Sequence, residues 1–150
     1  MVCRVMTEKD MDVASRLYIE YYNTYEEGAW TEETVYRRIH QVWSREDSLC
    51  MMLEEDSEET TGETIGFVMG YFEQYDDIQA YDLVEIVIAH GYQGRGIGTR
   101  FMEMLEAKVR EYGGSMIQLQ AVNDAWHNCF YDKLGYKNCN NLVLKSKWLV

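Results

Sequence analysis

The 150-residue chain contains no proline, and it contains no long apolar run. Without proline, the breaks between elements must come from glycine and from polar clusters. No stretch approaches the roughly 20 apolar residues that a membrane-spanning helix needs, and the first residues lack the apolar run of a signal peptide. We therefore expect a protein that does not associate with membranes and that resides in the cytoplasm.

Basic residues are also scarce, since 14 Lys and Arg stand against 26 Asp and Glu for a net charge of −12. A binder of phosphate backbones needs the opposite balance, which argues against a nucleic-acid partner. The deficit is uneven: residues 1–90 carry 6 bases and 21 acids, whereas residues 91–150 carry 8 bases and 5 acids. The two parts could meet ligands of opposite charge, or the acids could serve solubility alone.

Patterns typical of metal or disulfide sites are missing as well. The cysteines Cys3, Cys50, Cys129 and Cys139 form no C-x-x-C pair, and the three histidines have no ligand-like spacing. In a cytoplasmic chain we expect free thiols and no metal.

The length and a hydrophobic content of 47% predict one domain over residues 1–150. Periodicity predicts strands at 2–6, 49–53, 64–73, 83–88 and 116–122, with two more after Tyr136. Helices are predicted after the cap-like Thr7, after Thr31, over 96–112 and over 124–134, and the acidic segment 54–63 is predicted to be a hairpin loop. The order β-α-α-β-β-β-α-β-α-β-β indicates an α/β (α+β) domain on a mixed sheet.

The segment 86–99, IVIAHGYQGRGIGT, runs from an apolar strand through a glycine-rich turn into a helix. Such a turn directs backbone N–H groups and the positive end of the helix dipole at one point, which suits a phosphate. It is not a Walker loop, because no lysine precedes Thr99, and it is not a dinucleotide fingerprint, because Thr99 stands where the third glycine belongs.

Gln93-Gly94-Arg95-Gly96-Ile97-Gly98 instead matches Arg/Gln-x-x-Gly-x-Gly/Ala, and it resembles the acetyl-CoA loop of the GNAT N-acetyltransferase superfamily. The segment 130–136, FYDKLGY, looks like a late motif of that family, and the predicted element order is also similar. The resemblance implies a mostly antiparallel sheet of about seven strands, splayed between strands four and five. It also implies an N-acetyltransferase that uses acetyl-CoA and no metal.

The resemblance also implies the coenzyme-binding positions. The backbone of strand four would pair with the pantetheine arm, and the N–H of Ile88 would polarise the thioester carbonyl. The loop amides would bind the phosphates. The expected coenzyme-binding residues are Ile86, Val87, Ile88, Gln93, Gly94, Arg95, Gly96, Ile97, Gly98, Thr99 and Asn123.

Two side chains are candidates for proton transfer. Glu85 is an acid within an apolar strand, three residues before Ile88, and is the predicted general base. Alternatively it faces solvent or pairs with a structural arginine while a water chain takes the proton. Tyr131 matches the family tyrosine that protonates the leaving thiolate, although an aromatic helix can also place a tyrosine in the core.

Aromatic and acidic residues are interleaved in the N-terminal helical region, which suits a pocket for a cationic amine. Alternatively, the tyrosines form a core face and the acids are only solvated. The predicted acceptor residues are Tyr22, Glu26, Glu27 and Trp30. We expect a small cationic amine of the polyamine or aminoglycoside type, with a peptide N-terminus or a lysine side chain as the alternative. A non-catalytic acyl-CoA sensor is the alternative from another class. The resemblance is also compatible with a homodimer formed through 142–148.

Overall fold

The computed structural model describes residues 1–56 and 61–150. The chain forms two compact units, Met1–Gln120 and Ala121–Val150. The expectation of one domain over the whole chain stays a prediction.

The first unit is built on a five-stranded sheet in the order β1-β2-β3-β4-β5. The strands are β1 (Val2–Val5), β2 (Met51–Asp56), β3 (Thr61–Gln74), β4 (Gln79–Ile88) and β5 (Met116–Leu119). Neighbouring strands are antiparallel except for β4 and β5, which are parallel. The mixed, mostly antiparallel α/β architecture expected from the sequence is confirmed.

The described residues contain four α-helices, which begin close to the positions that their caps predict: α1 (Met11–Ile19), α2 (Glu32–Trp43), α3 (Ile97–Glu111) and α4 (Ala125–Lys133). A capping box of Thr7 and Asp10 precedes α1 through a short 3₁₀ turn, and Thr31 caps α2 by accepting the N–H of Thr34. A π-helical turn, Glu20–Thr24, continues α1. None of the described helices is long and apolar enough to span a bilayer.

Helices α1 and α2 cover one face of the sheet. Their inward residues, Ala14, Tyr18, Val35 and Ile39 among them, form a buried cluster with strand residues such as Phe67, Met69 and Val87. Helix α3 buries Phe101, Met102, Leu105 and Val109, and its end contacts Phe72 of β3 through Tyr112. Because Phe72 alternates with residues of the first cluster, α3 covers the opposite face.

The ends of the predicted loop over 54–63 belong to strands in the structure. Strand β2 runs to Asp56 and β3 begins at Thr61, so the acidic segment continues the hairpin ladder at both ends. The polar composition of these residues favoured a loop, but backbone pairing in a hairpin does not depend on side-chain polarity. Residues 57–60 of that prediction lie outside the described residues.

The second unit contains α4, which Asp124 caps by accepting the N–H of His127, and the tail that follows it. The described tail residues 136–150 form no strand, so the prediction of seven strands is not confirmed. An alternating pattern makes a segment suitable for a sheet, but only pairing with a neighbouring backbone makes it a strand.

Candidate functional site

Strand β4 carries a bulge in its middle. Met69 of β3 pairs with Glu85 and the next residue, Gly70, pairs with Leu83, so that Val84 is the extra residue. Val84 packs against the cluster under α1 and α2, and Glu85 contacts a tyrosine of α1, so two consecutive side chains face the same way. Gly70 permits this arrangement, because a Cβ there would collide with the Asp82 carbonyl and the Tyr81 ring.

The second half of β4 extends beyond its pairing with β5. The parallel ladder ends at the pair Leu83 and Leu119, whereas β4 continues to Ile88 alongside β3. The N–H of Ala89 donates to Ile65 of β3. Since backbone groups alternate along a strand, those of Ile86 and Ile88 point to the other edge. This edge is where the sequence analysis expects the pantetheine arm.

Val87 does not fit its predicted role in coenzyme binding. Its side chain is fully buried in the cluster under α1 and α2. The backbone N–H and carbonyl groups of Val87 point toward β3, as those of Ala89 do. The resemblance assigned a run of three residues, whereas the alternation of the strand leaves only Ile86 and Ile88 on the open edge.

Three donors hold the carboxylate of Glu85. The hydroxyl of Tyr18 donates to Oε2 at 3.0 Å and that of Tyr22 to Oε1 at 2.5 Å. The Nη2 of Arg38, on α2, lies 3.4 Å from Oε2. Tyr18 and Tyr22 are four residues apart, so they extend from the same side of α1 and its π-helical continuation. The side chain of Glu85 is 14% exposed.

The electrostatics keep both phenols in their donor form. Burial, followed by the charge of Glu85, raises the pKa of Tyr18 to about 12, and the same two causes raise that of Tyr22. A carboxylate offers about four acceptor positions. Because Oε2 accepts from Tyr18 and Arg38 while Oε1 accepts from Tyr22, Oε1 keeps capacity for one further donor, such as an amine or a water.

Glu85 lines a cleft of about 420 Å³ within the first unit. Arg38, Tyr71 and Asp82 contribute to its polar wall, and Leu119 and Gln120 border it at the end of β5. The cleft therefore opens where β4 and β5 cease to pair. An acid with remaining acceptor capacity lies in it, close along the strand to the open edge.

The glycine-rich turn has the conformation that phosphate binding needs. Gly94 and Gly96 have φ angles of 73° and 74°, and a Cβ on either would meet nothing within 4 Å. The first intrahelical donor of α3 is the N–H of Arg100, which bonds to Gly96, so the amides of Ile97, Gly98 and Thr99 have no helical acceptor. The chain thus has open space in front of free amides, which fits the pyrophosphate of a coenzyme.

Gln93 links this turn to the open edge of β4. Its Nε2 donates to the Ile88 carbonyl at 3.0 Å. Arg95, also exposed in the turn, lies over the Tyr92 ring with its guanidinium carbon 5.4 Å from the centroid. The predicted coenzyme residues of the first unit, other than Val87, therefore form one continuous surface from the strand edge to the helix.

Of the four predicted acceptor residues, only Tyr22 contacts Glu85 in the structure. Tyr22 is brought to Glu85, as described above. Trp30 instead packs edge-on against Tyr18, and Asn23 holds its backbone at both the N–H and the carbonyl. Glu26 and Glu27 are exposed, and none of Glu26, Glu27 and Trp30 is among the residues that line the cleft. The spacing of these residues could not distinguish a pocket wall from a packed turn.

Two predicted residues lie in the second unit. Tyr131, on α4, packs its ring against Phe130 and Tyr136, with centroid distances of 5.0 and 5.7 Å. The side-chain oxygen of Asn123 accepts a hydrogen bond from Asn128. Their roles toward the coenzyme stay predictions.

Among the cleft residues that the sequence did not indicate, three are charged or aromatic: Arg38, Tyr71 and Asp82. Arg38 lies 47 residues from Glu85, and no local pattern marks such a contact. Tyr71 and Asp82 are register partners across β3 and β4. The turn predicted at Asp76-Asp77 implies this register, so the sequence contained a signal that Asp82 lies opposite Tyr71.

The fold is a mixed sheet with an open edge on its fourth strand, beside a glycine-rich turn that leads into a helix. Residues 15–136 match the acetyltransferase (GNAT) family, and the chain belongs to that family. The match includes the turn, the cleft and α4. The family uses acetyl-CoA as its acetyl donor. No curated protein sequence matches the chain significantly.

Solved structures share the fold at low sequence identity. A possible acetyltransferase from Clostridium difficile 630 superposes with a TM-score of 0.82 at 10% identity, covering 99% of this chain and 98% of its own. A GNAT family acetyltransferase from Staphylococcus aureus gives 0.73 at 14% identity, with 97% and 98% covered. Glucosamine-6-phosphate N-acetyltransferase from Arabidopsis thaliana gives 0.68 at 20% identity, with 99% and 98% covered.

Proposed function

We propose that the protein transfers the acetyl group of acetyl-CoA to a primary amine, by direct attack while both substrates are bound. The observation that carries this proposal is the position of Glu85. Its carboxylate has an acceptor position left on Oε1, and it lies in a cleft that opens beside the unpaired edge of β4. An acid at this place can receive the proton of an amine that attacks a thioester held along the edge.

The coenzyme would be held by the chain at two places. The backbone of Ile86 and Ile88 on the open edge of β4 would pair with the pantetheine arm. The amides at the start of α3, with the turn at Gly94 and Gly96, would bind the phosphates. When bound, acetyl-CoA supplies the acetyl group as a thioester with a thiol leaving group. No metal-binding cluster of three or more His, Cys, Asp or Glu occurs among residues 1–56 and 61–150.

The proton transfers are assigned to two side chains. An alkylamine has a pKa of about 10, so roughly one molecule in a thousand is the reactive free base at neutral pH. Glu85 accepts the proton that the amine loses as its nitrogen bonds to the acetyl carbon. The N–H of Ile88 stabilises the charge on the carbonyl oxygen, and Tyr131 donates a proton to the departing thiolate.

For the acceptor we propose a small cationic amine of the polyamine or aminoglycoside type. The acids Asp82 and Glu85 in the cleft support this class, because both attract an ammonium group before reaction. The 21 acids of residues 1–90 contribute to the same attraction.

Glu85→Gln tests the base. We expect kcat to fall by about a hundredfold or more, since general base catalysis contributes about 10²- to 10⁴-fold. Titration with acetyl-CoA should give an unchanged affinity, because the coenzyme contacts lie on the edge and the turn. Glu103→Gln, which removes an exposed acid of α3, is the matched control. If Glu85→Gln kept the turnover of the control, another acid or a water chain would be the base.

Tyr131→Phe tests the acid. It should lower kcat while leaving the affinity for acetyl-CoA nearly intact, because the phenol acts only on the thiolate that forms during the reaction. Unchanged turnover across the pH range would remove Tyr131 from the mechanism.

A panel of amines, with thiol release as the readout, tests the acceptor class. Cationic amines should be preferred, and the amino-sugar phosphate named for the Arabidopsis neighbour should be a poorer acceptor in an acidic cleft. A preference for neutral or anionic acceptors would contradict the cationic class. Coenzyme binding without turnover of any amine would favour the sensing module instead.

A further inference from the structure

Asp82 was not expected at the site, yet it lines the same cleft as Glu85. We propose that Asp82 determines acceptor specificity by binding a second ammonium group, so that the preferred acceptor is a short alkyl diamine. This inference rests on the proposed function and names the substrate within the class of cationic amines.

The order of groups along β4 carries the inference. Asp82, Glu85 and Ile88 follow one another at intervals of three residues on one strand. Asp82 and Glu85 face the cleft, and Ile88 presents its backbone to the open edge. At about 3.3 Å per residue, the Cα atoms of Asp82 and Glu85 are at most about 10 Å apart. A diamine of a few methylenes spans that length with one nitrogen at each acid.

The charges around the cleft leave room for one additional cation. Arg38 faces Glu85, and Arg45 lies over the Tyr71 ring. Glu73 lies close to Asp82 and interacts with its charge. Together these are three carboxylates and two guanidiniums, so one negative charge is uncompensated. A single second ammonium balances it, whereas the several charges of a long polycation would exceed it and would meet Arg38 and Arg45.

The uncompensated charge is located at the Asp82 end of the cleft. Glu73 lies close to Asp82, since a hydrogen bond with Asp82 is the largest cause that raises the pKa of Glu73. Near Glu85, by contrast, Arg38 supplies a compensating charge. An ammonium group therefore gains more beside Asp82 than at any other point of this wall.

Neighbouring side chains hold Asp82 in place. Gln118 of β5 donates to its Oδ2 at 3.1 Å, and because a carboxylate has about four acceptor positions, Asp82 can also accept from an ammonium group. Tyr71 is its register partner on β3, and the Arg45 guanidinium lies 3.7 Å from the centre of the Tyr71 ring. The cation–π contact fixes Tyr71 as a wall beside Asp82. The carboxylate is thus presented with a fixed orientation.

The test compares 1,4-diaminobutane with 4-amino-1-butanol, which has the same length and a hydroxyl in place of the second ammonium. In the wild type we expect KM for the diamine to be lower by about tenfold or more, with a similar kcat. Asp82→Asn should remove this difference by raising KM for the diamine alone. Asp77→Asn, which removes the same charge from the exposed turn before β4, should keep the difference.

Asp82→Glu extends the test, because it keeps the charge but advances it by one methylene. It should retain the preference for diamines and shift the best acceptor from 1,4-diaminobutane toward 1,3-diaminopropane. This result would separate a charge contact from a general disturbance of the fold, which would weaken both acceptors equally.

The remaining outcomes separate this inference from the proposed function. Equal KM values for the two acceptors in the wild type, or a preference that survives Asp82→Asn, would overturn the role of Asp82 and leave acetyl transfer standing. If neither amine were acetylated, calorimetric titration of 1,4-diaminobutane would decide. Binding that Asp82→Asn weakens would support the diamine site, and binding unaffected by it would refute the site.

Discussion

Donors from two helices meet the carboxylate of Glu85, and they determine what this acid can do. The phenols of Tyr18 and Tyr22 orient it, and Arg38 balances its charge. An acid in an apolar strand would otherwise be costly to bury. The site therefore depends on where the two phenols and the guanidinium point as much as on the presence of the acid.

Tyr22→Phe tests this orientation. Removing the phenol leaves Oε1 without its protein donor, and we expect kcat to fall by about tenfold or more because a hydrogen bond to a charged group is worth about 1.5 kcal/mol or more. The KM for acetyl-CoA should not change. Tyr21→Phe, on the neighbouring residue of the same turn, is the control and should keep the wild-type kcat. Equal losses in both variants would indicate a packing effect.

The turn between β4 and α3 is the element to which we assign the coenzyme phosphates. Gly96 is the N-cap residue of α3, and its φ of 74° lies in the left-handed region. An L-residue adopts that region at a cost of roughly 1 to 2 kcal/mol. The glycine is needed here for its backbone conformation, since nothing lies within 4 Å of the position that a Cβ would take.

Gly96→Ala should therefore lower the free energy of unfolding by about 1 kcal/mol and weaken acetyl-CoA binding. The matched control is Gly91→Ala in the same turn, since Gly91 also has open space around its Cβ position but no positive φ. Urea denaturation gives the first quantity and calorimetric titration the second. Equal stability of the two variants would show that the turn accepts alanine without strain.

The molecule as a whole carries a net charge of −12, and one ion-paired cluster binds its N-terminal elements together. Arg4 of β1 forms a two-pronged contact with Asp10 at 2.8 Å for each bond and also contacts Glu54 of β2 at 2.7 Å. The hydrogen bonds from Arg4 outweigh the effect of burial and lower the pKa of Asp10 to about 2. Asp10 is the N-cap residue of α1 and accepts hydrogen bonds from Thr7 in the capping box before it, so the cluster joins two strands to the start of a helix.

This shift predicts how stability changes in acid. Because the pKa of Asp10 is lower in the folded state than the unfolded value of about 3.9, its contribution is complete above that value and is lost as the pH falls toward 2. We expect about 1 to 2 kcal/mol, reduced because the Arg4 side chain is 38% exposed. Asp10→Asn should lose this stability at pH 6 and show a flatter acid dependence. Asp12→Asn, an exposed acid of the first turn of α1, should behave as the wild type.

Local signals were sufficient for most elements. The caps at Thr7 and Thr31, the alternation in β3 and the glycine turn each depend on residues within a few positions of one another, and the structure bears them out. The tail after Tyr136 shows the limit, since an alternating pattern there is not accompanied by a strand. A strand needs a partner, and the pattern contains no information about one.

The sequence by itself determined the family, because the glycine-rich turn and the segment 130–136 are contiguous motifs, and it indicated Glu85 as a candidate acid. Only the tertiary structure decided which residues surround Glu85. Arg38 of α2 and Asp82 of β4 line the cleft together with Glu85. The side chains of Trp30 and Val87 instead pack against the cluster under α1 and α2. The physical reason is that a bulge, a strand register and a helix rotation set the direction of a side chain, and these depend on contacts between residues far apart in the chain.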